Sequence, residues 1–194
     1  MKYRISALLA AVTAVTVLNA CGDSLTPVTP IDTVERQLTL FALNGTDVTL
    51  PSAILVLGPL AQPQPKRIDA NFAFDVAFDI KSADSVAIHT VAFVANQLTS
   101  THRVGLQRTD QTFDAAVRAP TTGYFYDSTL TVGLGRTVFV DVFESTCSLS
   151  FNGPSVRAKI KVDSLDLARR VLYVDILSDP NCGFRTLSIG KPKD

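Results

Sequence analysis

Between Ile68 and Lys81 the chain alternates apolar and polar side chains, and few folds accommodate that pattern over so long a run. Ile68, Ala70, Phe72, Phe74, Val76, Phe78 and Ile80 fall on one side, and Asp69, Asn71, Ala73, Asp75, Ala77, Asp79 and Lys81 on the other. A helix would scatter these residues around its circumference, whereas a period of two places them on opposite faces of a strand. The run predicts one long strand, or two joined by a bend, with one face buried and one solvated. Val156, Ala158, Ile160 and Val162 repeat the pattern against Arg157, Lys159, Lys161 and Asp163. Val138, Val140 and Val142 alternate with Phe139, Asp141 and Phe143, which predicts a strand covered on both sides.

Turn chemistry punctuates these runs. Asn44-Gly45 between QLTLFAL and TDVTL is a hairpin signal, because both residues tolerate positive φ. Asp110-Gln111 separates RVGLQRT from TFDAAVR, Pro59, Pro63 and Pro65 make GPLAQPQPK a loop, and Asp179 to Gly183 forms a turn before FRTLSI. Residues 164–174, SLDLARRVLYV, carry apolar side chains at nearly helical spacing. Their position between KIKVD and YVDIL favours a hairpin with its turn near Leu167–Arg170. About ten strand candidates result, a number that suits a sandwich or barrel.

The N-terminus has a different character. Lys2 and Arg4 precede an uncharged, mostly apolar stretch from Ile5 to Leu18. As a helix this stretch would span roughly 21 Å, short of the ~30 Å hydrocarbon core of a bilayer. A cleaved secretory signal therefore accounts for it better than a permanent membrane span. The signal ends in Leu18-Asn19-Ala20-Cys21, which resembles the lipobox of bacterial lipoproteins. The resemblance implies cleavage before Cys21, lipidation of Cys21 with fatty acyl chains such as palmitate, and attachment to the membrane through that lipid. Asn19 is larger and more polar than the residue usual at its place. By the same resemblance, Gly22 rather than Asp after the Cys implies the outer membrane. Residues 22–33, with Pro27 and Pro30 among Ser, Thr and Asp, read as a tether of about 37 Å if extended. The expected organisation is a signal peptide over 1–20, a lipidated Cys and tether over 21–33, and a single β domain over 34–194.

Removing Lys2 and Arg4 with the signal leaves 16 of the 18 basic side chains against 18 acidic ones, a formal charge of −2. No basic field remains to neutralise a run of phosphates, so nucleic acid is not an expected partner. Of the three cysteines, Cys147 and Cys182 are left once Cys21 is acylated. An even pair in an exported protein predicts a disulfide. The alternatives are two free thiols, or a zinc site that would have to recruit His89 and His102.

Catalytic material is scarce. His89 lies in an apparent strand and reads as a satisfied sheet residue; His102, in STHR, reads as solvated. No GxSxG, HExxH or phosphate-loop pattern occurs, and Gly133-Leu134-Gly135 lacks the context of a dinucleotide site and suits a strand bend. Asp75 and Asp79 would lie about 13 Å apart along a strand, too far to share one cation, and read as a solvated face. Asp175, Asp179 and Asn181 would need a neighbouring loop to hold calcium. In Tyr124-Phe125-Tyr126 at least one ring must face outward, as at the start of a sugar- or peptide-binding surface, unless a loop covers it.

The fold expected is an all-β, antiparallel two-sheet sandwich resembling immunoglobulin-like exported modules, with a lipocalin-like β-barrel as the alternative. Trp is absent, so the resemblance is one of architecture and carries no function. The function expected is that of a lipid-anchored envelope protein with a non-enzymatic binding or structural domain, needing no cofactor or metal and with an envelope protein or glycan as partner. A barrel carrying a small apolar ligand is the second reading, with Phe72, Phe74 and Phe78 lining its lumen.

Overall fold

Strand pairing in the long alternating run begins only at Val76. Phe72 adopts a left-handed backbone (φ 46°), which breaks the extended path and shortens the expected strand. The computed structural model describes residues 29–68, 71–96, 102–126, 128–148, 150 and 152–192. Asp69 and Ala70 lie outside these, as do Cys21 and the expected signal peptide.

In chain order the strands are β1 (Val34–Phe41), β2 (Ala53–Leu55), β3 (Gln64–Lys66), β4 (Val76–Ser82) and β5 (Ser85–Thr90). A short helix α1 (Val91–Ala95) follows. Then come β6 (Val104–Arg108), β7 (Phe125–Tyr126), β8 (Thr129–Gly133), β9 (Thr137–Phe143), β10 (Ser155–Asp166) and β11 (Val171–Asp179). They form two antiparallel sheets ordered β1-β11-β10-β9-β6-β7 and β3-β2-β4-β5-β8. Neither sheet closes on itself or on the other, so the architecture is a sandwich and not a barrel.

The inner faces supply the core. Phe74, Phe78, Leu40, Ile54, Ile88, Leu106, Ile160, Leu172 and Ile176 are fully buried between the sheets. Val156, Ala158, Ile160 and Val162 all point inward from β10, as the alternation predicts. The hairpin at residues 164–174 forms with its turn at Leu167–Arg170. β9 is indeed covered on both sides. Phe139 joins Phe113, Ala116, Ala119, Leu177 and Leu187 in a second, smaller cluster on the outer face of the six-stranded sheet.

Three expected strands do not form. TDVTL after Asn44-Gly45 is a loop, because Asp47 accepts hydrogen bonds from both the backbone and the hydroxyl of Thr49 and winds the chain locally. TFDAAVR and FRTLSI are also irregular, and pair with each other through an isolated bridge between Arg118 and Thr186. They act as straps that lie across the outer cluster. Lys159, expected on a solvated face, is buried beneath one of them and donates to the Phe113 carbonyl at 2.6 Å.

Candidate functional site

Polar side chains join the two sheets at several points, and these account for most of the residues that the sequence puts forward as candidates. Asp75, expected to be solvated, is fully buried. One of its carboxylate oxygens accepts from the Val56 amide at 2.5 Å, and the other lies 2.7 Å from Nε2 of His102, which precedes β6 in the opposite sheet. His102 is therefore a cross-sheet clasp and not a solvated loop residue. The hydrogen bond to Asp75 holds its pKa above the usual value; burial opposes this, while the charges of Asp75 and Glu144 and a bond to the Phe74 backbone add to it.

Asp79 is likewise buried, a second correction to the solvated face. It accepts from Asn44 Nδ2 at 2.7 Å and from Arg170 at 3.1 Å, so the β10–β11 turn is tied to β4. His89 is hydrogen-bonded through Nδ1 to Thr129 at 2.7 Å and stacks on Phe93, a satisfied sheet residue. Burial lowers its pKa.

The aromatic triplet divides as its spacing requires. Phe125 is 61% exposed, while Tyr124 donates to the Pro120 carbonyl and Tyr126 donates to Asp141 at 3.0 Å. Burial, together with the Asp141 charge, pushes the Tyr126 phenol up to about 12. Asp141 also pairs with Arg157 at 3.2 Å. Asp175 is engaged by Lys161 and Gln37, and Asp179 by Asn181, so the calcium candidates have protein partners. Among the described residues no three His, Cys, Asp or Glu side chains gather as a metal ion would require. Cys147 and Cys182 form a disulfide, with Cα atoms 5.3 Å apart.

The concave surface lies elsewhere, at the corner where the chain crosses from β8 to β9. Gly133 ends β8, and Gly135 turns the chain with φ 72°, so the Gly-Leu-Gly sequence serves the bend. The crossing leaves two adjoining grooves. The larger, about 570 Å³, is lined by Gln107, Arg108, Thr109, Asp110, Gln111, Arg118, Pro120 and Phe139. The smaller, about 210 Å³, shares Arg108, Thr109 and Asp110 with it and adds Arg136 and Thr137. Sequence reasoning missed this corner, since its arginines are dispersed over 29 positions and form no motif. No protein family, curated protein or solved structure matches this chain.

Proposed function

We propose that the chain is a lipid-anchored protein of the bacterial cell envelope, sorted to the outer membrane by Gly22 after the lipidated Cys21, whose β-sandwich is a non-enzymatic binding or structural module. The filled interior carries the choice between a surface module and an internal carrier. Phe74 and Phe78 are fully buried between the sheets, and Phe72 packs against that core, leaving the apolar rings that a carrier would use as lumen occupied in packing. Open concavity is found instead on the surface, at the β8–β9 corner. Both histidines are engaged in structural contacts, which favours binding over catalysis. The disulfide suits an oxidising, exported location.

Anchoring is tested by fatty-acid labelling of the full chain in a bacterial host. Labelling and recovery in the membrane fraction are expected for the natural sequence, and both are expected to disappear in Cys21→Ser. Labelling that survives the replacement would overturn the anchor.

A further inference from the structure

The β8–β9 corner combines three properties that point to one ligand chemistry. The first is charge. Arg108, Arg118 and Arg136 line the two grooves against a single carboxylate, Asp110, in a chain whose formal net charge is zero. Arg108 donates to the neutral Thr131 carbonyl at 2.6 Å, which orients its guanidinium without cancelling its charge. Arg136 makes no ion pair among the described residues. Guanidinium groups placed this way suit carboxylate or other oxyanions, which they can bind in bidentate fashion.

The second is unmet hydrogen-bonding capacity. Thr137 is only 1% exposed, and its hydroxyl has no partner among the described residues. The side-chain oxygen of Gln107, on the wall of the larger groove, is in the same condition. Buried polar atoms are normally satisfied, so a ligand that brings donors as well as acceptors would complete both. The third is the floor. Half-buried Pro120 gives the larger groove a small apolar patch, backed from below by Phe139, which is itself only 4% exposed within the outer cluster.

We infer that this corner binds an acidic oligosaccharide, its carboxylates held by Arg108, Arg118 and Arg136 and its hydroxyls by Gln107, Asp110 and Thr137. The inference rests on the reading of the domain as a binding module and names the ligand class. The larger groove lies within the ~300–1,000 Å³ range common for small-ligand sites. Position argues against the headgroups of the protein's own membrane. β9 runs from Thr137 at the groove toward the disulfide end, some 20 Å along the strand at ~3.3 Å per residue. The chain enters the body at that far end, where the Ile31 amide donates to Asn181 beside Cys182.

Calorimetric titration of the detergent-solubilised full chain tests the proposal with uronic-acid tetrasaccharides built on galacturonate, mannuronate or glucuronate. Neutral maltotetraose and tetraglutamate serve as comparisons. At least one uronic-acid probe should bind, more weakly as salt rises, and more tightly than either comparison. Arg136→Gln and Arg108→Gln should each weaken it roughly tenfold, as expected for loss of a charged hydrogen bond. Arg169→Gln, which removes an arginine on the β10–β11 turn outside both grooves, should leave binding unchanged. Because Arg108 also braces β8, Arg136→Gln is the decisive variant, and its melting temperature should match that of the natural sequence. Failure of every uronic-acid probe to bind, or tetraglutamate or maltotetraose binding as well as the best of them, would overturn the inference. So would unchanged affinity in Arg136→Gln. Labelling of Cys21 is independent of all these outcomes, so the envelope reading can stand when the ligand class falls.

Discussion

At the scale of single residues, Asp75 shows how a charged side chain in an alternating strand can belong to the interior. Its polar identity and its position opposite Phe74 and Val76 suggest solvent, yet it is fully buried. What encloses it, the Val56 amide and the His102 ring, comes from segments 19 positions before it and 27 after it, so no local pattern could announce the burial. Asp75→Ala should therefore cost about 3–5 kcal/mol, as much as Phe74→Ala, because it strands a buried amide and an imidazolium together. The pair also fixes a pH dependence. His102 has a folded pKa above its ordinary 6.5, so its contribution is fully present below pH 6.5 and is lost as pH rises through the raised value. Glu144, pushed up by burial and then by the Asp75 charge, also favours the lower pH. His89, with a lowered pKa, pulls the other way. Denaturant melts of natural and His102→Gln proteins should converge as pH climbs well above 6.5 and diverge below it; a constant gap across the range would refute the clasp.

Among the elements, β10 was the most legible and the irregular segments of the chain the least. Val156, Ala158, Ile160 and Val162 alternate inward along β10, but a bulge follows between Val162 and Ser164, and the nearly helical spacing of residues 164–174 left the hairpin turn to be inferred from its strand-like flanks. The same alternation gave β4 and β9, while the loop after β1 and the straps at TFDAAVR and FRTLSI carry strand-like residues whose backbone groups are satisfied by distant partners instead. The arginine corner was hidden for the same reason, being assembled by topology from β6, the strap and the β8–β9 turn. Arg170 illustrates how a turn becomes a tertiary contact. It sits at φ 52°, a conformation that favours glycine, while its guanidinium reaches Asp79 and the Asn44 carbonyl. Arg170→Ala should lose both the cross-sheet pair and any relief of backbone strain. Arg170→Gly loses the pair but relaxes the backbone, and should be less destabilising by about 1 kcal/mol. Equal urea midpoints for the two variants, or a more stable Ala form, would count against this account of the turn.

For the whole molecule, the outer layer depends on a C-terminal strap that has little regular pairing of its own. The strap is held by the Leu187 amide donating to Val117, by Arg185 donating to Ala119 and by Thr33 donating to Gly190, which gathers the N-terminal entry and the C-terminal segment on one side. Residues 31–33, expected in the tether, are thereby fixed to the body. The disulfide secures the start of this arrangement, joining Cys147 after β9 to Cys182 just ahead of the strap. Closing a loop of 35 residues restricts the unfolded chain by roughly 4 kcal/mol at most in the entropy account. For a domain of this size that corresponds to a fall in melting temperature of about 10 °C on reduction. Cys147 belongs to the core between the sheets and Cys182 packs against it, but the neighbouring strands are hydrogen-bonded along their length, so reduction should leave the far-ultraviolet spectrum unchanged. Amide exchange should instead quicken selectively over residues 183–192 and over the partner segment around Phe113 to Ala119. Uniform acceleration throughout both sheets would mean that the bridge supports the core itself, and no acceleration at the strap would mean that its backbone contacts hold it unaided.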